Sequence, residues 1–118
     1  DFSYIDDIVE GVMQTLDRPA EPNPEWSGKD PDPSSSKAPW KIYNIGNSQP
    51  VELLYYIECL ENALGKSSEK KLLPIQAGDV EHTYADVSLL EEATGYKPNT
   101  PIEVGIDRFI SWFKSYYS

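Results

Sequence analysis

The sequence predicts a small α/β unit built as one domain. Three observations carry that reading: about four stretches whose apolar residues recur at helical spacing, short β-prone runs between them, and Gly, Asn or Pro at the junctions. At 118 residues and 39% hydrophobic side chains, the chain has room for a single core and is expected to fold alone only marginally.

The first element read from the pattern is a short strand-like run over residues 1–5, which opens in mid-pattern as a piece cut from a longer chain does. Ile8, Val9, Val12, Met13 and Leu16 then recur at helical spacing, so a helix is expected over 6–16. Asp6 and Asp7 are placed to cap its free N–H groups and to favour its positive end, and Met13 reads as core filler.

Residues 17–39 change character. Six of the ten prolines fall here, together with Ser34, Ser35 and Ser36, which predicts a long loop without secondary structure and the least ordered part of the chain. Asp30 and Asp32 lack the glycine and terminal glutamate of a calcium loop and read as solvated.

A strand is expected over residues 42–45, ending at the Gly46-Asn47 turn. A helix over 53–64 follows, carrying Leu53, Leu54, Ile57, Leu60 and Leu64 on one stripe and closed by Gly65. Cys59, inside that helix with no nearby histidine in sequence, reads as a buried inert thiol. Further strand candidates lie at 71–75 and 83–85, on either side of a loop over 76–80. Asp86 is placed to cap a short helix that Gly95 closes. Thr100-Pro101-Ile102-Glu103 reads as a capping box opening the last helix, whose Ile102, Ile106, Phe109, Ile110 and Phe113 form an apolar stripe. Trp112, Tyr116 and Tyr117 read as packing residues.

Charge excludes several function classes. Twenty acidic residues against ten basic ones give a net charge of −10, and no Lys/Arg cluster is present that would neutralise phosphates along nucleic acid or an anionic membrane. One cysteine and one histidine build neither a disulfide nor a structural zinc site, and such composition suits a reducing cytoplasm. No apolar run approaches the roughly 20 residues that span a bilayer, and no secretory leader is legible.

The chemistry legible in the residues is sparse. His82 sits in a polar run and reads as solvated rather than as a general base. There is no glycine-rich phosphate loop, and no tyrosine is followed by lysine four positions later. The exception is Gln76-Ala77-Gly78-Asp79, just past a candidate strand end: Gly78 permits close backbone approach, and Gln76 and Asp79 offer an amide and an acceptor. An ordinary Gly-Asp turn explains the same residues, and physical reasoning alone prefers it.

The runs Asp1-Phe2-Ser3-Tyr4-Ile5-Asp6-Asp7-Ile8, Tyr43-Asn44-Ile45-Gly46, Pro50-Val51-Glu52-Leu53, Leu73-Pro74-Ile75-Gln76-Ala77-Gly78-Asp79-Val80, Thr83-Tyr84-Ala85-Asp86 and Gly95-Tyr96-Lys97-Pro98-Asn99-Thr100-Pro101 change this balance. Their order resembles the C-terminal part of extended short-chain dehydrogenase/reductases acting on nucleotide sugars. Gln76 before the Gly-Asp pair, together with Thr83-Tyr84-Ala85-Asp86, is most similar to the UDP-glucuronate 4-epimerase branch. The resemblance implies a substrate-binding domain over 1–118, a UDP-sugar ligand contacted by Gln76, Gly78 and Asp79, and no catalytic, cofactor or metal residue in this chain. It further implies a preceding Rossmann domain holding NAD and the catalytic Tyr/Lys pair, a cytoplasmic homodimer, and epimerisation at C4 through a 4-keto intermediate. Asp7 matches an acidic position of the family, yet a structural role at the helix start suits it equally. Two alternatives remain: the same domain from another nucleotide-sugar epimerase or dehydratase, and an acidic, non-catalytic module whose proline-rich loop binds a protein.

Overall fold

A computed structural model describes residues 1–118 and contains four helices: α1 (Ile5–Leu16), α2 (Leu53–Leu64), α3 (Ser88–Thr94) and α4 (Ile102–Tyr116). α1, α2 and α4 fall where helical spacing predicts them, and α3 lies between the expected Asp86 cap and Gly95. Gly65 and Gly95 end α2 and α3 in the left-handed region, at φ 67° and 72°, and return their N–H groups to Asn62 and Glu91 carbonyls. Asp86 accepts the Ser88 N–H at 3.0 Å and so caps the start of α3 as expected.

The predicted strands do not form. Pairing is limited to isolated bridges between Ser27 and Asp30 and between Ser35 and Lys41, so the unit is mostly helical, with almost no strands. Residues 1–4, 42–45, 71–75 and 83–85 have strand composition but meet no ladder, and Ile5 already belongs to α1. β-propensity reports fitness for a pleated, half-buried surface; without a neighbour offering N–H and C=O groups, such a run stays irregular.

Two expected caps are also absent. Asp6 and Asp7 lie in the first turn of α1 without capping it, and α4 starts after Pro101 with no side-chain cap. The Thr100 hydroxyl donates instead to Asp7 Oδ1 at 2.9 Å, while Glu103 accepts the Tyr55 phenol. Charge-assisted bonds across the fold outcompete local capping here.

Helix α2 packs on α4 and α1 on α3, around a core of Val87, Leu90, Ile106 and Ile110. Gly11 admits Ile45 against α1, since a Cβ there would lie 3.1 Å from two Ile45 carbons. The core is nevertheless thin. The accessible surface is 9044 Å², against about 6,500 Å² for a compact monomer of this mass. The radius of gyration is 18.6 Å, where a compact domain of this length has about 13.5 Å.

The excess surface is apolar. Val9, Met13 and Leu16 on α1 are 52%, 55% and 66% exposed, so Met13 fills no core, contrary to expectation. On α4, Ile106 and Ile110 are buried as predicted, but Phe109, Trp112, Phe113 and Tyr116 form an exposed ladder, with Trp112 and Tyr116 ring centroids 5.4 Å apart. No helix is long and apolar enough to cross a membrane.

Residues 17–39 are irregular, as composition predicts, yet bonded to themselves. The Asp32 carboxylate accepts from the Ser35 hydroxyl and from the Ser34 hydroxyl and N–H, which holds it below the usual carboxylate range. The Trp26 indole N–H donates to the Asp32 carbonyl and the Asn23 N–H to the Ser36 carbonyl, at 3.1 and 2.8 Å.

Candidate functional site

Gln76, Gly78 and Asp79 come together in one exposed turn. The Asp79 N–H donates to the Gln76 carbonyl at 3.1 Å, the Val80 N–H donates to Asp79 Oδ1 at 2.9 Å, and Gly78 takes φ 88°, a value that favours glycine. A Cβ built on Gly78 would meet nothing within 4 Å, so the backbone face there is open. No hydrogen bond ties residues 71–82 to the rest of the chain.

The segment is anchored at its two ends. On the N-terminal side, Glu61 of α2 accepts from the Ser68 N–H and hydroxyl and from Lys70 Nζ, at 2.6, 2.7 and 2.7 Å. These bonds, Lys70 foremost, pull the Glu61 carboxyl down to about 2. On the C-terminal side, Asp1 Oδ2 accepts the Ser48 and Ala85 N–H groups at 3.1 and 3.0 Å, and the Ser48 hydroxyl donates to the Ala85 carbonyl at 2.6 Å. Gly46 fits beneath: a Cβ there would lie 2.5 Å from the Ala85 Cβ. Between the anchors, a cavity of about 230 Å³ is lined by Asp1, Phe2, Val51, Val80, His82 and Thr83, among others.

Sequence reasoning missed Asp1 and Ser48. Ser48 is the single non-glycine residue at positive φ, 56°, and the preceding Gly46-Asn47 was the one available signal, since it marks a turn without saying which residue bears the strain.

Asp7 belongs to the fold rather than to this site. It is buried at 7% exposure and accepts from the Thr100 N–H, the Thr100 hydroxyl and the Tyr96 phenol, at 3.0, 2.9 and 3.2 Å. Burial, reinforced by the Asp7 charge, pushes the Tyr96 phenol up to about 12. His82 is exposed on the cavity rim, beside Glu81. Cys59 is only half-buried, facing the groove between α2 and α4 with Tyr55, whose phenol is raised by its bond to Glu103. No group of His, Cys, Asp and Glu has metal-holding geometry.

No protein-family model matches the chain. Among curated relatives, it is 50% identical over 117 residues to Protein CapI of Staphylococcus aureus, covering 99% of this chain and 35% of that protein. It is 41% identical over 118 residues to a probable UDP-glucuronate 4-epimerase of Rhizobium meliloti, again covering 35% of the relative, and 39% identical over 119 residues to UDP-glucuronate 4-epimerase 5 of Arabidopsis thaliana, covering 26%. The chain thus spans about a third of the length of the first two of these relatives. Its structure superposes on a crystal structure of a UDP-glucuronic acid 4-epimerase mutant from Bacillus cereus, in complex with UDP-4-deoxy-4-fluoro-glucuronic acid and NAD. The TM-score is 0.72 at 26% identity, over 99% of this chain and 32% of the other.

Proposed function

We propose, from the premise that this chain is kin along its whole length to UDP-glucuronate 4-epimerases, that it forms the C-terminal, substrate-holding part of an enzyme interconverting UDP-glucuronate and UDP-galacturonate at C4. The observation that carries this reading is the superposition across 99% of the chain on an epimerase solved with a UDP-sugar analogue and NAD.

In this reading the 76–80 turn faces the UDP end of the substrate. Gly78 lets the backbone approach closely, Gln76 offers amide donors, and Asp79, with one oxygen held by the Val80 N–H, has the other for a ribose hydroxyl. A turn bearing a carboxylate does not neutralise a diphosphate, and the chain as a whole carries a charge of −10. Cationic contacts therefore come from the remainder of the enzyme. These contacts hold the nucleotide while the sugar turns, so their contribution is to positioning.

NAD does not fit this chain. A dinucleotide cradle needs a strand, a glycine-rich turn and a helix N-terminus in succession, and no strand forms here. In the proposal, NAD and the catalytic groups reside in a preceding Rossmann domain. The exposed apolar face of α1 and the 9044 Å² surface support a chain that leans on such a domain. The enzyme is further proposed to act as a homodimer in the cytoplasm, which rests on the family resemblance and, for the compartment, on the single unpaired cysteine.

The test is turnover by the whole enzyme that contains this chain, followed by proton NMR of the two UDP-uronates. Interconversion at C4 is the expected result, and its absence with NAD supplied overturns the reading.

A further inference from the structure

We infer that Asp1 is a positioning residue for the substrate turn: its carboxylate fixes the C-terminal stem of the 71–85 segment and thereby sets where Gln76 and Asp79 stand. The inference rests on the function proposed above. Three observations converge on Asp1. Its Oδ2 takes both the Ser48 and the Ala85 N–H, so one carboxylate oxygen joins the turn after Gly46 to the C-terminal stem of the segment. Ser48 is kept at φ 56° while its N–H reaches Asp1 and its hydroxyl reaches Ala85, so backbone strain is maintained at this junction. The other carboxylate oxygen, Oδ1, is buried without a partner, an arrangement that costs stability rather than adding to it.

With residues 71–82 otherwise untethered, losing this carboxylate leaves the C-terminal stem held only by the Ser48 hydroxyl on the Ala85 carbonyl and the Asn44 amide on the Asp86 carbonyl. Asp1 touches no reacting atom. Its removal therefore acts on substrate capture, not on the chemical step, and one carboxamide oxygen suffices to accept both N–H groups. Asn is predicted to work in its place, because the amide nitrogen then stands where Oδ1 has no partner to lose.

The experiment uses the whole enzyme, with KM and kcat for UDP-glucuronate and calorimetric NAD affinity for wild type, Asp1→Ala and Asp1→Asn. Asp1→Ala is expected to raise KM about tenfold with kcat within about twofold and NAD affinity unchanged, and Asp1→Asn to restore KM to within about twofold of wild type. An unchanged KM in Asp1→Ala, a fall confined to kcat, or an Asn variant as impaired as Ala overturns the inference. Should Asp1→Ala fail to fold, Ser48→Ala removes only the hydroxyl bond to Ala85; KM is then expected to rise about threefold, and no change overturns the inference. A wild-type enzyme without affinity for UDP-glucuronate overturns the proposed function instead, so the two failures are distinguishable.

Discussion

Asp7 and Thr100, 93 residues apart, are joined by two hydrogen bonds of 3.0 and 2.9 Å that tie the first turn of α1 to the entry of α4. Tyr96 adds a third contact to the same carboxylate at 3.2 Å. In a molecule with a thin core, this polar junction fixes how the helices meet.

Asp7→Ala is accordingly expected to destabilise the fold strongly. It leaves the Thr100 N–H and the Thr100 hydroxyl without their acceptor, while the Tyr96 phenol keeps the Asp7 main-chain carbonyl, a loss of about 3 kcal/mol. Urea unfolding of the whole enzyme measures it, and a loss under about 1 kcal/mol would contradict the junction's role.

At the turn, the proposed function predicts that Asp79→Ala in the whole enzyme weakens UDP binding about tenfold, through loss of the proposed hydrogen bond to the nucleotide. NAD affinity stays the same. Calorimetry with UDP alone reads this directly; an unaltered UDP affinity returns residues 76–80 to the status of an ordinary turn.

The Glu61 anchor predicts a pH dependence of definite sign. Its carboxyl falls from the ordinary 4.5 to about 2 in the folded chain, so its contribution is fully present above pH 4.5 and is lost as pH falls through about 2. Tyr96 behaves oppositely: raised from 10 to about 12, it stabilises fully below pH 10 and ceases to do so as pH rises through about 12. Carboxyl carbon-13 shifts and phenolate absorbance follow the two titrations, and a Glu61 midpoint near 4.5 would remove the anchor from consideration.

On α1, Val9→Asp distinguishes an exposed face from one that is covered in the complete enzyme. In the 118-residue chain, where Val9 is 52% exposed, stability is expected to change by no more than about 0.5 kcal/mol. In the whole enzyme the loss is expected to reach about 2 kcal/mol, as an unpaired carboxylate is pressed against apolar neighbours. Equal effects in both would leave α1 without a partner surface.

Within residues 17–39, the Asn23 and Asp30 amides, bonded at 2.8 and 3.3 Å, are expected to exchange hydrogen more slowly than the amides of Glu21 and Lys37. Asp32→Ala removes the acceptor for Ser34 and Ser35 and is expected to abolish the Asn23 protection. Uniformly fast exchange in the unmutated chain would show that the loop is not self-bonded.

The helices were legible because their determinants are local: the apolar period of α1, α2 and α4 and the glycines at 65 and 95 act within a few residues of where they stand. The strands were not, because a strand is defined by a neighbour, and residues 42–45 find only one backbone bond outside, from the Ile42 N–H to the Ser34 carbonyl, beside an isolated bridge. The capping box at Thr100 failed for the complementary reason, as a carboxylate 93 residues away takes the hydroxyl that the local pattern assigns to the helix. Periodicity likewise announced an apolar face on α1 without saying what covers it. Of the candidate site, residues 76–79 could be read as a turn, whereas the contacts of Asp1 and Ser48 arise only when residues 1, 48 and 85 are brought together.

The close approach of Gly46 to Ala85 makes the two positions a conserved sum of volume. With only 2.5 Å available to a Cβ at position 46, Gly46→Ala alone forces the two backbones apart and strains the Asp1 bonds beside them. The reciprocal exchange, Gly46→Ala with Ala85→Gly, moves one methyl group across the junction and leaves its total unchanged. The two substitutions should therefore be strongly non-additive, the double variant recovering most of what the first one loses. Any sequence that enlarges one of these positions is expected to shrink the other.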